Sequence, residues 1–242
     1  MRILILSDIH GNAAALEAII AQESFDKVVC LGDVVGYGPE PAACLRWLRR
    51  HSALVVQGNH DRALGDRVPP GCTPAFQWLA DATFHIGEAQ LTPEERGYLA
   101  ELPRSTLVER DGLRLMLVHA APRDPLYGYR EPTAAAWKEE LSDVEADLVL
   151  VGHTHLQFEL RLGPRHLANP GSVGQPKGGD PRAAYAVLEA GTLRFGRAAY
   201  PIERTISGLA AAGVSQAAVT SLGQLLRTGQ VPPPPSGQPG SG

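Results

Sequence analysis

The chain has 242 residues, of which 44% are hydrophobic and 20% charged, and it carries a formal charge of −4. That length and balance suit one large globular domain or two small ones. The charge gives no electrostatic footprint for duplex nucleic acid or an acidic membrane surface, and no apolar run is long enough to cross a bilayer.

The N-terminal MRILILSDIH is apolar only briefly and has no cleavage-site pattern, so it reads as the first strand of a cytoplasmic protein. Cys30, Cys44 and Cys72 are widely spaced, odd in number and form no CxxC pair, which fits reduced thiols. Residues 2–7 (RILILS) predict that strand, and residues 12–23 a helix with Ala13, Leu16, Ile19 and Ile20 on one face. A second strand is expected at 27–32, a helix at 40–50 with Pro41 in its first turn, and a third strand at 53–58. This βαβαβ order predicts parallel strands with helices packed outside.

Residues 66–103 carry few strand signals and read as a helical insertion, with helices opening at Thr73-Pro74 and Thr92-Pro93. Strands return at 105–110 and 113–119 around the hairpin signal Asp111-Gly112. A helix is expected over 132–142 and a buried strand over 147–152. QFELRL, RHLANP, AAYAVLEA and TLRFGRAAYP then predict antiparallel strands that build a second sheet. Residues 203–227 predict terminal helices. The Pro/Gly-rich stretch 228–242 predicts a disordered tail. The expected fold is an α/β class, four-layer α/β/β/α sandwich of two mixed sheets, with residues 1–227 as one domain.

The polar residues follow the strands. Asp8 and His10 come after the first, Asp33 after the second, and Asn59 and His60 after the third. His119 ends the LRLMLV strand, and His153 and His155 follow DLVLVG. In open α/β sheets such strand ends share one edge, where ligands bind. Oxygen donors from Asp8, Asp33 and Asn59 combine with imidazoles from His10, His119, His153 and His155. This mixed set suits divalent manganese, iron, cobalt, nickel or zinc, and lacks the thiolates of a structural zinc site. Seven ligands are too many for one such ion, but suit two if a carboxylate bridges them. Each residue alone has a bland reading as a turn, loop or surface side chain. Those readings do not jointly explain polar residues after five successive strands.

DIHGN (8–12), GDVVGYGP (32–39), GNHD (58–61), the histidine of LVHA (117–120) and GHTH (152–155) resemble the calcineurin-like metallophosphoesterases. NPGSVGQPKGGDPRAAYAVLE (169–189) is similar to the small bacterial phosphodiesterase branch. The insertion and HAAPRDPLYGY (119–129) look like members described as dinucleoside-polyphosphate hydrolases. The resemblance implies that Asp8, His10 and His155 hold one metal, Asn59, His119 and His153 a second, and that Asp33 bridges. It implies two divalent ions, manganese first, with iron, nickel, cobalt or zinc as alternatives. A metal-bridging hydroxide would attack phosphorus, and His60 would protonate the leaving group. Where family members often have His-Gly-Ser-Pro, this chain has His119-Ala120-Ala121-Pro122.

The readings around this core stay open. Asp61 either orients His60 or caps a helix. Arg62, Arg123, Lys177 and Arg182 are candidates for a second phosphate, against a solvated-surface reading for each. The turn around Ser172 either presents N–H groups to phosphate or is a plain turn. Tyr37, Tyr127 and Tyr129 either stack on a base or pack. The expected reaction is hydrolysis of phosphoester or phosphoanhydride bonds in a small phosphorylated substrate such as a nucleotide. A phosphomonoesterase is the alternative enzyme. The alternative of another class is a non-catalytic scaffold, like the retromer subunit of this fold, which lacks the histidine that is His60 here.

Overall fold

The computed structural model describes residues 1–231. The expected disordered tail lies outside the described residues from 232 onward; at its start, helix α8 (Gln216–Thr228) ends on Gly229, whose φ of 64° is left-handed.

The first half holds β1 (Arg2–Leu6), α1 (Ala13–Gln22), β2 (Lys27–Cys30), α2 (Pro41–Arg50) and β3 (Leu54–Val55). α3 (Asn59–Asp66) follows β3, and the segment 66–103, expected as a helical insertion, contributes α4 (Pro74–Gln90) and α5 (Pro93–Glu101). Asn12 starts α1 by accepting from Ala15 N, and Thr92 and Glu95 form a reciprocal capping box on α5. The second half runs β4 (Ser105–Arg110), β5 (Leu113–Val118), α6 (Ala134–Lys138), β6 (Leu148–Leu150), β7 (Gln157–Leu162), β8 (Arg165–Pro170), β9 (Ala183–Glu189), β10 (Thr192–Ala198) and α7 (Ile202–Ala211), then α8.

Two mixed five-stranded sheets result, ordered β10-β9-β1-β2-β3 and β4-β5-β6-β8-β7. β1 explains their stacking. Its alternate residues Leu4 and Leu6 join the core under α1 and α2, while Ile3 and Ile5 join Leu115, Leu117, Leu148 and Leu150 between the sheets. A strand buried on both faces needs the continuous apolar run RILIL. Each such side chain removed from water contributes roughly 1.5–3 kcal/mol. Trp137 and Leu141 cover the outer face of the second sheet over Val149 and Leu167.

Four expectations change. β9 and β10 do not extend the second sheet; β9 pairs antiparallel with β1, placing both strands in the first. β8 pairs parallel with β6, so the late strands are not uniformly antiparallel. β3 keeps only two ladder residues, because Gln57 N turns away to Pro103 O at 2.8 Å. The helix expected over 132–142 ends at Lys138 and continues as turns. None of these moves the strand ends. β1, β2 and β3 run parallel, as do β5 and β6, so their carboxyl ends meet at one rim.

Candidate metal centre

The rim loops are sewn together by backbone. Asp8 N donates to Gly32 O at 3.0 Å, His10 N to Asp33 O at 2.9 Å, and Gly174 N to Asp8 O at 3.0 Å. The turns are tight enough to force left-handed backbone. Asp8, His10, Asp33, His153 and His155 have φ of 52°, 49°, 53°, 63° and 62°. For non-glycine residues such angles cost on the order of 1–3 kcal/mol each and persist where surrounding structure over-determines them. Glycine appears where backbone touches a candidate ligand. A Cβ on Gly58 would collide with the Asp33 carboxylate, and one on Gly152 with Ser7 Oγ and Asp8 Oδ2.

The side chains are oriented from behind. His10 Nδ1 lies 3.0 Å from Val35 O, His119 Nδ1 2.8 Å from Leu31 O, and His155 Nδ1 2.7 Å from Gln175 O. A carbonyl only accepts, so each Nδ1 carries a proton, and the Nε2 of His10 and of His155 presents a lone pair. Asn59 Nδ2 donates to Pro70 O at 2.8 Å, which turns Oδ1 inward. Asp33 Oδ1 accepts from His60 N at 2.8 Å, leaving Oδ2 for the interior. Asp8 Oδ2 accepts from Ser7 Oγ at 2.6 Å and His153 N at 3.1 Å, while Oδ1 is buried with no partner among the described residues.

Two groups of inward atoms follow. His155 Nε2 stands 3.4 Å from Asp8 Oδ1 and 3.2 Å from His10 Nε2. His119 Nε2 stands 3.1 Å from Asn59 Oδ1 and 3.2 Å from His153 Nδ1. Asp33 Oδ2 lies between the groups, 3.7 Å from His10 Nε2 and 3.4 Å from His119 Nε2. All seven residues chosen from the sequence are thus brought together.

The electrostatics describe a buried site short of cations. Burial lowers His10 and His153 to about 3 and His155 well below its usual range. Burial, reinforced by the Asp33 charge, raises Asp8 to about 7. Burial works against ionising both Asp33 and His119. Their mutual attraction nevertheless holds Asp33 well below the carboxylate range and lifts His119 to about 9. A proton on His119 can therefore hold the second group together. In the first group His10 and His155 are both neutral with both Nδ1 protons committed to carbonyls, and the proton that titrates near 7 is the one on Asp8. A divalent cation of borderline softness fits this set of oxygen and imidazole acceptors.

His60 flanks the cluster. Its ring meets His10 edge-on with centroids 5.0 Å apart and Tyr37 at 4.6 Å, and its Nε2 lies 3.4 Å from Cys72 Sγ. Burial lowers its pKa, and the Asp33 carboxylate opposes that. Asp61 does not orient this ring by a hydrogen bond. Its Oδ1 accepts from Val34 N and Val35 N at 2.9 and 3.3 Å, and its Oδ2 from Gly58 N at 3.1 Å. A carboxylate near the start of α3, committed to three amides, pins two rim loops together.

A cavity of about 350 Å³ opens over the cluster, bordered by Tyr37, Cys72, Phe76, Tyr127, Tyr129 and Lys177 among others. Lys177 is the one sequence-chosen anion binder that borders it, with Nζ 4.4 Å from the Phe76 ring centroid; burial lowers its pKa to about 8. The other candidates are engaged elsewhere. Arg62 donates to Tyr127 Oη at 2.6 Å and pairs with Asp66 at 3.5 Å. Arg123 reaches Glu139 and Asp143 at 2.6 and 3.0 Å on the surface, and Arg182 holds Asp180 at 2.7 Å. The Ser172 side chain is buried, donating to Asp8 O at 2.8 Å and accepting from Gln175 N at 2.7 Å, so it braces the loop and does not face the cavity. Phe76 is not singled out by sequence, and Cys72 reads only as a reduced thiol; the Thr-Pro helix start between them alone marks that segment as ordered.

Comparison with known proteins places this geometry. The model of the calcineurin-like phosphoesterase superfamily domain matches residues 1–192, ending before α7. A crystal structure of a metallophosphoesterase from Sphaerobacter thermophilus superposes with a TM-score of 0.79 at 34% identity, over 92% of this chain and 98% of that one. The phosphodiesterase YfcE of Escherichia coli is 28% identical over 202 residues, 78% of this chain and 88% of its own. The symmetrical bis(5'-nucleosyl)-tetraphosphatase of Pseudomonas putida is 28% identical over 219 residues, 74% of this chain and 73% of its own.

Proposed function

The chain belongs to the calcineurin-like phosphoesterase superfamily, a family of hydrolases, and from that premise we propose a two-metal enzyme that cleaves phosphodiester or nucleotide polyphosphate bonds. The observation that carries the reading is the pair of neutral His10 and His155 lone pairs 3.2 Å apart, beside a second donor group that shares Asp33. Asp8, His10 and His155 would hold one ion, Asn59, His119 and His153 the other, with Asp33 between. Manganese is the leading ion, and iron, nickel, cobalt and zinc suit the same donors. When bound, the ions supply positive charge that acidifies water and neutralises phosphoryl oxygens.

The chain's own residues do the rest. The carbonyls of Val35, Leu31 and Gln175 fix the tautomers, so no imidazole has to turn during the reaction. His60 borders the cavity and donates a proton to the departing oxygen. The arriving phosphate favours its charged form, offsetting the effect of burial. Names of the relatives, a phosphodiesterase and a dinucleoside tetraphosphatase, favour diesters and anhydrides over monoesters. The aromatic border of the cavity suits a nucleotide. The test is turnover with Mn²⁺ of an aryl phosphodiester, an aryl monoester and a diadenosine polyphosphate. Preference for the monoester would sink the reading.

A further inference from the structure

The cavity is larger than one phosphoryl group needs, and its border carries a cation the two-metal scheme does not use. Lys177 makes no salt bridge and donates no hydrogen bond to any described residue. Arg62, Arg123 and Arg182 all do. Its ammonium lies over the face of Phe76, 4.4 Å from the centroid. That contact orients the amine and leaves its N–H groups without acceptors.

The position of Lys177 is also tied to the cluster. Val173 N donates to Ser7 O at 3.0 Å and Gly174 N to Asp8 O at 3.0 Å, so the loop is locked to the end of β1. Gln175 O then accepts from His155 Nδ1 at 2.7 Å. Two residues later comes Lys177. One short loop therefore orients a candidate metal ligand and fixes how far from it a positive charge stands. A lysine ammonium is a compact point charge that recognises phosphate without needing a fixed planar geometry.

We propose that Lys177, seated over Phe76, is a subsite for a second phosphoryl group that the substrate carries next to the scissile one. The proposal rests on reading the cluster as the phosphoryl-cleaving centre. It adds that Lys177 discriminates phosphoanhydride substrates from simple diesters, which have no group to place there.

AMP and ADP differ by one phosphoryl group and make the test. Their affinities for the Mn²⁺-loaded protein are measured by calorimetry at constant free Mn²⁺, for wild type, Lys177→Met and Lys177→Arg. The expected wild-type preference for ADP is about tenfold, the ratio one charge-assisted hydrogen bond supplies. Lys177→Met should abolish that preference and Lys177→Arg should keep most of it. Equal binding of AMP and ADP by wild type would overturn the subsite. So would a loss in Lys177→Met that weakens both ligands alike. Aryl-diester turnover by the same wild-type protein reports separately on the underlying reading, so a failed catalyst and a failed subsite are distinguishable.

Discussion

His10 Nε2 and His155 Nε2 face each other at 3.2 Å although neither carries the proton that would join them. Each donates its Nδ1 proton to a backbone carbonyl, Val35 O or Gln175 O. Two lone pairs at that distance repel, and burial denies both rings a second proton. The arrangement is stable where a cation sits between them.

Metal removal should therefore destabilise the fold. A ligand present at a hundred times its Kd stabilises by about 2.7 kcal/mol. For a chain of this size that is roughly a 5–10 °C shift in Tm. Thermal melts after chelation and after Mn²⁺ addition check this. Unchanged melting, with no metal retained on gel filtration, would remove the two-ion reading.

His60→Gln should keep its metals and lose turnover. General-acid assistance is worth about 10²–10⁴ in rate. The loss should be large with an alkoxide leaving group and small with p-nitrophenolate, which departs without help. Equal losses on both substrates would point to a disturbed metal centre instead, and metal analysis of the variant separates the two.

Asp61 should behave differently from its neighbour. Asp61→Ala leaves the amides of Val34, Val35 and Gly58 without their carboxylate. Unsatisfied buried groups cost about 1–3 kcal/mol each, so denaturant unfolding should show a loss of several kcal/mol. Full stability with reduced kcat would instead return Asp61 to a role on His60.

Gly152→Ala should injure the site more than the fold. The added methyl would press on Ser7 Oγ and Asp8 Oδ2. The expected outcome is Mn²⁺ affinity weaker by tenfold or more, with far-ultraviolet circular dichroism unchanged. Calorimetric titration measures it, and wild-type affinity would show that the rim yields more readily than its packing indicates.

Much of this was legible in the sequence, for a geometric reason. RILIL and DLVLVG announce strands buried on both faces, and parallel strands must deliver their ends to one rim. Asp8, Asp33, His119 and His153 needed no more than that to meet. What stayed hidden depends on partners distant in sequence. Arg123 is drawn from the cavity by Glu139 and Asp143, and Ser172 is turned inward by Asp8 O. β9 joins the first sheet through β1, more than 170 positions away, a choice no local pattern encodes. Gly58-Asn59-His60-Asp61 looks like loop, yet Asn59 already begins α3, with Asp61 folded back onto Gly58 N.

The left-handed backbone at Asp8, His10, Asp33, His153 and His155 has a bearing on how ions come and go. The conformational work at these turns is done once, when the chain folds, and the backbone hydrogen bonds around them hold the result. On the two-ion reading proposed above, an incoming ion would meet a rim already set. Loading would then have no loop-ordering step to wait for, and the dwell time of an ion would be governed by the exchange of its individual donors.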